Sequence, residues 1–364
     1  IFYVTLGIPI ARVADKRNRR NIVAMSLSLW SVMTVLSGSA RNFFQLLFAR
    51  IGVGVGEAGG SPPAHAMISD YFPPEKRSTA LSVYSTGIYV GILIGFLMGG
   101  YLNQHLGWRT AFLVLGIPGV IFSLLFYITV KEPGRGATDA LGTPANEQHA
   151  LGEVLKFLYS TNTFVCLALA TGLHVFCIYG LVNWAPSFLS RLHGMKNSEI
   201  GVLLGLVFGI GGGIGTFAGG WLTDYFGKRD KRWYLKIPAY AIVISIFFAA
   251  GALFLQNTYF SVICLGFCIT LQSMYLGPSI AVVHSLVPAS MRALSSAILF
   301  LVLNLIGLGF GPLAVGMISD LLKPNLGVES LRWAMSIILF VSVASATFFF
   351  RSAKKWIIDL QLKK

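Results

Sequence analysis

Two stretches decide the fold: Ala11-Arg12-Val13-Ala14-Asp15-Lys16-Arg17-Asn18-Arg19-Arg20, and Gly220-Trp221-Leu222-Thr223-Asp224-Tyr225-Phe226-Gly227-Lys228-Arg229. Each sets an acid near the end of one apolar run and bases before the next. The acids stand 209 residues apart (224 − 15), and other landmarks recur at similar spacing. Pro73 precedes Arg77 by four residues and Pro288 precedes Arg292 by four, an offset of 215. Gly91 and Gly95 are echoed by Gly307 and Gly311 at an offset of 216. Arg109 and Arg332 each open the last apolar run of their half, 223 residues apart. Landmarks repeated in one order mean two homologous halves.

Eleven apolar runs surround these turns, at 1–14, 21–39, 43–69, 78–104, 109–131, 162–190, 198–225, 233–255, 257–287, 291–322 and 329–350. Charged residues are 12% of the 364 and hydrophobic ones 55%, whereas a soluble domain carries roughly 25% charge to cover its wet surface. Most runs reach about 20 residues, the length that spans a hydrocarbon core. Backbone amides in lipid must bond within their own segment, so these runs are helices. The fold class is therefore an all-α membrane protein.

The net charge of +14 does not point to nucleic acid, because the bases are not gathered on one face. They alternate: Lys16, Arg17, Arg19 and Arg20; Lys76 and Arg77; Lys228, Arg229, Lys231 and Arg232; Lys354 and Lys355. The intervening loops are poor in charge, and that alternation assigns the rich loops to the cytoplasm. Cys166, Cys177, Cys264 and Cys268 all fall in apolar runs and read as packing residues, with no disulfide framework or metal site.

The repeat divides the chain into an N-terminal bundle at 1–131, a cytoplasmic linker at 132–161, a C-terminal bundle at 162–352 and a basic cytoplasmic tail at 353–364. The polar stretch Lys131–Gly152 marks the linker, and residues 147–160 are expected to form a short amphipathic surface helix. About 58 residues separate Asn162 from Gly220 but only ten precede Ala11. The reading is a twelve-helix protein of two six-helix bundles whose first helix is absent from this sequence.

The Asp15, Arg19, Arg20 turn and its copy Asp224, Lys228, Arg229 resemble the signature Gly-x-Leu-Ala-Asp-Arg-x-Gly-Arg-Arg of the major facilitator superfamily. The resemblance implies transport by alternating access. The acid of such a turn can pair with bases or a helix N-terminus of the opposite half, holding the cytoplasmic side shut until the halves rock. Arg77 and Arg292 belong to the same gating set. Within the superfamily the first half resembles the Spinster family of sphingolipid and lysophospholipid carriers. The likeness lies in Arg50-x3-Gly54-x-Gly56-Glu57-Ala58, in Asp15-x2-Asn18-Arg19-Arg20 and in Glu132-Pro133-x-Arg135-Gly136. It implies an amphipathic, lipid-like cargo moved with proton coupling. The chain departs from that family in Gly59-Gly60-Ser61-Pro62-Pro63.

Arg50 and Glu57 are the charged side chains deep in an apolar run, where ionisable groups face a cavity and act there. Seven residues apart, they share a helix face about 10 Å along the axis. Glu57 is the candidate to bind the coupling proton. Arg50 is the candidate to tune it or to hold an anionic head group; a structural charge pair is the alternative. Tyr179, Asn183 and Trp184, followed by Pro186 where the helix is expected to break, and Gln272 with Tyr275 form the candidate cavity lining. Ordinary interhelical hydrogen bonding is the alternative for each. Gly209–Gly215 and the series Gly87, Gly91, Gly95, Gly99 read as close helix packing, and His174 and His284 as packing or capping residues. No nucleophile, Walker or HExxH motif is present, so the expectation is no enzyme, no cofactor and an ion or solute gradient as energy source. The expected partners are membrane lipids, protons and a small amphipathic or anionic solute. The expected state is a monomer in a bacterial inner membrane. A carrier of small organic anions and a non-transporting receptor of the same fold are the other readings.

Overall fold

The computed structural model describes residues 2–138 and 150–361. Among them the elements are helical and no strand occurs. The first half supplies α1 (Phe2–Lys16), α2 (Arg19–Ser39), α3 (Phe43–Ala58), α4 (Ser61–Tyr71) and α5 (Pro74–Thr129). Asn18 holds an extended backbone and accepts the Asn21 N–H at 3.0 Å, so the sharp α1–α2 turn is also the cap of α2. Asn42 caps α3 in the same way through Gln45 at 2.9 Å.

The expected run at 43–69 is two helices. Gly59 and Gly60 interrupt it because they lie against α2: a Cβ at Gly59 would meet Ser26 Oγ at 2.2 Å, and one at Gly60 the Trp30 ring at 2.8 Å. Pro62 and Pro63 then begin α4, where a missing N–H loses no helical bond. Glycine permits the approach and proline restarts the helix. In α5 the backbone kinks at Gly107 (φ 78), near the start of the second of its two apolar arms, Pro74–Gly99 and His105–Thr129.

The second half supplies α6 (Leu151–Ser160), α7 (Asn162–His193), α8 (Asn197–Leu206), α9 (Gly212–Gly227), α10 (Trp233–Phe254), α11 (Thr258–Gln272), α12 (Leu276–Leu286), α13 (Arg292–Val302), α14 (Phe310–Leu326) and α15 (Ser330–Gln361). The pairs α8–α9 and α13–α14 are joined by π-helical turns at Val207–Gly211 and Leu303–Gly309, and α11–α12 by a 3₁₀ turn at Ser273–Tyr275. Such turns free backbone groups and mark places where a span departs from regular geometry. Residues 147–149 of the expected surface helix, and 139–149 of the expected linker, lie outside the described residues. One expectation needs correction. Pro186 does not break its helix, since α7 runs unbroken from Asn162 to His193. The segment read as a basic tail from 353 continues α15 as far as Gln361, and its Asp359 accepts the Thr163 N–H of α7 at 2.9 Å.

Eight helical stretches among the described residues are long and apolar enough to cross a membrane. Large apolar side chains such as Phe247, Tyr259 and Phe340 are exposed, while serines such as Ser82, Ser245, Ser342 and Ser345 are buried. That inversion suits lipid, where close backbone approach and interhelical hydrogen bonds, rather than expulsion of water, hold helices together. Ser345 Oγ, for example, donates to the Ala170 carbonyl at 2.7 Å. The protein is an integral, multi-pass membrane protein.

The chain forms two compact units. Unit 1 comprises Ile1–Pro74, Leu97–Phe157 and Val283–Leu301; unit 2 comprises Glu75–Phe96, Leu158–Val282 and Val302–Lys364. Each unit therefore takes one helical segment from the other half of the repeat. In unit 2 the buried apolar core includes Leu181, Phe188, Leu204, Phe208, Ile269 and Ile338. The two glycine series differ. A Cβ at Gly215 would fall 1.8 Å from the Thr270 carbonyl oxygen, and one at Gly209 2.5 Å from Leu93 Cβ, so that run packs as expected. At Gly87, Gly91, Gly95 and Gly99 nothing lies within 4 Å, so among the described residues this stripe is not a packing seam. Gly215→Ala is expected to overpack a rigid backbone contact, costing about 1–3 kcal/mol, and to lower the thermal midpoint in detergent. Gly91→Ala is expected to leave it unchanged or raised, by up to the ~1 kcal/mol of helix propensity. Equal midpoints for the two variants would contradict this packing.

Candidate functional site

The charged turns assemble first. In unit 1 the Asp15 carboxylate, at the polar end of α1, accepts the Ala293 N–H at 3.1 Å and the Leu294 N–H at 2.9 Å, in the first turn of α13. A helix start offers unspent N–H groups and a positive dipole end, so an acid there is held by geometry and charge together. Close approach is possible because the facing residues are small: Ala11, Ala14, Ala66, Ala293 and Ala297 form one buried cluster. This is the reason alanine serves at position 11. In unit 2 the copy behaves alike. Asp224 accepts the Thr79 N–H at 2.6 Å and its hydroxyl at 2.5 Å, in the second turn of α5, and the Tyr234 hydroxyl at 2.6 Å. Gly220 permits it, since a Cβ there would meet Ser82 Oγ at 2.4 Å.

Around Asp15 lies an ion-pair relay. Arg19, fully buried, donates Nη1 to Asp70 at 2.5 Å, Nε to Glu132 at 2.7 Å and Nη2 to the Pro133 carbonyl at 3.0 Å. Asp70 also receives Arg292 Nη1 at 2.5 Å and the Gly136 N–H at 3.1 Å. Arg135 donates to the carbonyls of Ala14 and Arg17 at 3.0 and 2.7 Å. Arg20 donates its backbone N–H to Glu132 at 2.8 Å and stacks its guanidinium over the Tyr127 ring at 4.7 Å. Residues 132–138, at the start of the expected cytoplasmic linker, thus strap the charged cluster. A buried charge stripped of its partner is destabilising by about 3–5 kcal/mol. Asp70 has two arginines, so parting from Arg292 leaves it paired with Arg19. The relay belongs to one copy only, because Ser285 stands 215 residues after Asp70. Arg77 is buried at the start of α5, and Lys228 and Arg229 lie exposed after α9.

Asp70 was not singled out from sequence. Its only signal was an acid at the end of a span, three residues before Pro73, and the pairing depends on residues 51 and 222 positions away.

The intramembrane candidates fall apart into separate places. Arg50 and Glu57 in unit 1 share the exposed face of α3. Among the described residues neither side chain makes a hydrogen bond or ion pair; Arg50 is the charge that acts on Glu57, and its guanidinium lies 5.8 Å from the Phe112 ring centroid. Glu57 sits in the last turn before the Gly59–Gly60 interruption, and its carbonyl accepts the Gly60 N–H at 3.1 Å. In unit 2, Gln272 and Tyr275 flank the 3₁₀ turn between α11 and α12, and Tyr179 is an electrostatic neighbour of Tyr275. Asn183 is exposed and donates to the carbonyl of Tyr179 in its own helix at 2.9 Å. Trp184 donates Nε1 to the Pro312 carbonyl at 2.9 Å, and its ring would lie 3.1 Å from a Cβ at Gly316, so it packs on α14. His174 and His284 are both engaged: His174 Nε2 with the Gln272 carbonyl, and His284 between Ser69 and Ser296, each at 2.7 Å.

Burial pushes the Asp15 carboxyl up to about 7, against the two N–H donors and the charges of Arg135 and Arg19. An aspartate in water loses its proton near ~3.9, so the docked contact takes up a proton. Its stabilisation is full below that ordinary value and fades as the pH rises through about 7. Thermal midpoints measured from pH 5 to 8.5 are expected to fall for the wild type relative to Asp15→Asn. Parallel curves would contradict the assignment. Arg19→Met is expected to lower the midpoint more than Arg292→Met, because it strips both Asp70 and Glu132.

The sequence profile of the Major Facilitator Superfamily matches residues 1–312. An MFS-type efflux pump of Mycolicibacterium smegmatis is 35% identical over 340 residues, covering 93% of this chain and 78% of the relative. The sphingosine-1-phosphate transporter SPNS2 of Mus musculus is 27% identical over 372 residues, 95% of this chain and 67% of the relative. A crystal structure of a bacterial homolog to the human lysosomal transporter Spinster, inward-facing and unoccupied, superposes with a TM-score of 0.70 at 28% identity, over 98% of this chain and 88% of that one. The chain is a transporter of the Major Facilitator Superfamily, of the Spinster type, and not an enzyme.

Proposed function

We propose that the protein carries an amphipathic, lipid-like solute by alternating access, with proton binding at Glu57 as the coupling step. The observation that carries this reading is the placement of Glu57 in the last turn of an interrupted span, exposed and acted on by Arg50. A charge at the centre of a bilayer costs about 2.5–3.5 kcal/mol even on lenient scales. An acid left facing open space there is therefore suited to alternate between neutral and charged forms. Interrupted spans are also where secondary transporters build their ion and substrate sites. The names of the relatives support a lipid-like cargo, since one is a sphingosine-1-phosphate transporter. Their bacterial members support a bacterial inner membrane as its location. We assign function to a single chain.

In this reading the Asp15 and Asp224 contacts hold the cytoplasmic end closed. Each contact is a small set of hydrogen bonds of about 0.5–1.5 kcal/mol apiece, little enough to break in every cycle. Arg292 can leave Asp70 without exposing an unpaired acid, because Arg19 remains. A second reading, a carrier of small organic anions, is favoured by the exposed guanidinium of Arg50, which makes no ion pair among the described residues and can grip a carboxylate bidentately.

Uptake of lysophosphatidylglycerol into proteoliposomes is expected to rise with an imposed pH gradient. Glu57→Gln is expected to lose the gradient-driven component by tenfold or more while retaining exchange of solute for solute. Unchanged uptake with unchanged pH dependence would end the proton assignment. Uptake of a dicarboxylate but of no lysolipid would favour the second reading.

A further inference from the structure

Unit 2 contains a buried polar cluster that the proton step does not use. Gln272, the last residue of α11, is 1% exposed, and neither Nε2 nor Oε1 of its side chain has a hydrogen-bond partner. His174 on α7 is 0% exposed. Its Nε2 lies 2.7 Å from the Gln272 carbonyl oxygen, which can only accept, so Nε2 carries the proton. The neutral ring then leaves Nδ1 as an acceptor, and Nδ1 has no partner. Tyr275 stands edge-on to the imidazole with ring centroids 4.5 Å apart. The ionisable neighbours acting on Tyr275 are Tyr89 and Tyr179, and Tyr89 bonds the side chains of Ser273 and Thr216.

Unspent hydrogen-bonding capacity of this kind is rare in a folded interior and calls for a specific occupant. The cluster offers two acceptors, Gln272 Oε1 and His174 Nδ1, together with two donors on Gln272 Nε2. An ammonium group would satisfy the acceptors and leave the amide donors unpaired. A phosphate would do the reverse. Among the described residues the ionisable groups acting on Tyr179 and Tyr275 are themselves tyrosines, and neutral partners suit a neutral ligand better than an ion. Hydroxyl groups, each donor and acceptor at once, match the set.

We infer that His174 and Gln272 form a recognition site for the uncharged hydroxyl groups of the solute's head, distinct from any site for its charge. The assignment rests on the lipid-like reading above and specifies which head groups are preferred. The irregular turn at Ser273–Tyr275 is what sets the Gln272 carbonyl against the imidazole and so fixes its tautomer.

The test compares lysophosphatidylglycerol with lysophosphatidylmethanol of the same acyl chain. Both carry one negative charge, but only the first has hydroxyls in its head group. Proteoliposomes of the wild type are expected to prefer the glycerol compound by on the order of tenfold or more in the ratio of maximal rate to half-saturation. Gln272→Leu is expected to bring the ratio between the glycerol and the methanol compound down towards one. The same variant is expected to equal or exceed the wild type in solute-free thermal midpoint, because an unsatisfied amide is replaced by an apolar group of similar size. Equal transport of both compounds by the wild type, or a preference that survives Gln272→Leu, overturns the assignment while the lipid reading stands. Transport of neither compound overturns the lipid reading and this assignment with it.

Discussion

A carboxylate set against backbone N–H groups near the start of a helix is the interaction on which this architecture depends. Asp15 does this to α13 and Asp224 does it to α5. Each contact joins an element of one half of the repeat to an element of the other, and each requires a small residue, Ala11 or Gly220, one turn earlier on the same helix. The acid, the small residue and the proline-led helix start form one device used twice. Its strength is modest because the partners are dipoles and N–H groups rather than full charges. That modesty suits a contact that a transporter must make and release.

The two copies are not equivalent in what surrounds them. In unit 1 the buried guanidinium of Arg19 ties Asp70, Glu132 and the Pro133 carbonyl together, and Arg292 adds a second base to Asp70. In unit 2 hydroxyl groups of Thr79 and Tyr234 take the corresponding place at Asp224. Unit 1 also holds Glu57 and Arg50, whereas the polar cluster of unit 2 is built from neutral groups. Charge handling and neutral recognition are thus placed on different parts of the chain.

Much of this was legible in the residues. Apolar length gave the helices, and the repeated Asp turns gave the internal symmetry, because both depend on local pattern. What depended on distant partners was not legible. The Gly59–Gly60 interruption arises from contacts with Ser26 and Trp30 on α2, and the Asp70 relay from side chains far along the chain. Pro186 reads locally as a breaker, yet α7 runs through it. Two glycine series alike in spacing differ in packing: Gly215 abuts Thr270, while the series from Gly87 to Gly99 meets nothing within 4 Å. Of the candidate cavity residues, Trp184 is spent on the Pro312 carbonyl, while Gln272 remains buried and unpaired. Spacing could not distinguish them.

Sidedness tests the central claim most directly. If both acid-bearing turns dock on helix starts at one end of the repeat, Lys16 and Lys228, each exposed beside its acid, must open to the same aqueous compartment. Single cysteines at these two positions, labelled with a membrane-impermeant maleimide in sealed vesicles of each orientation, report that directly. The account predicts that both react in inside-out vesicles and neither in right-side-out ones. Reaction from opposite faces would contradict it.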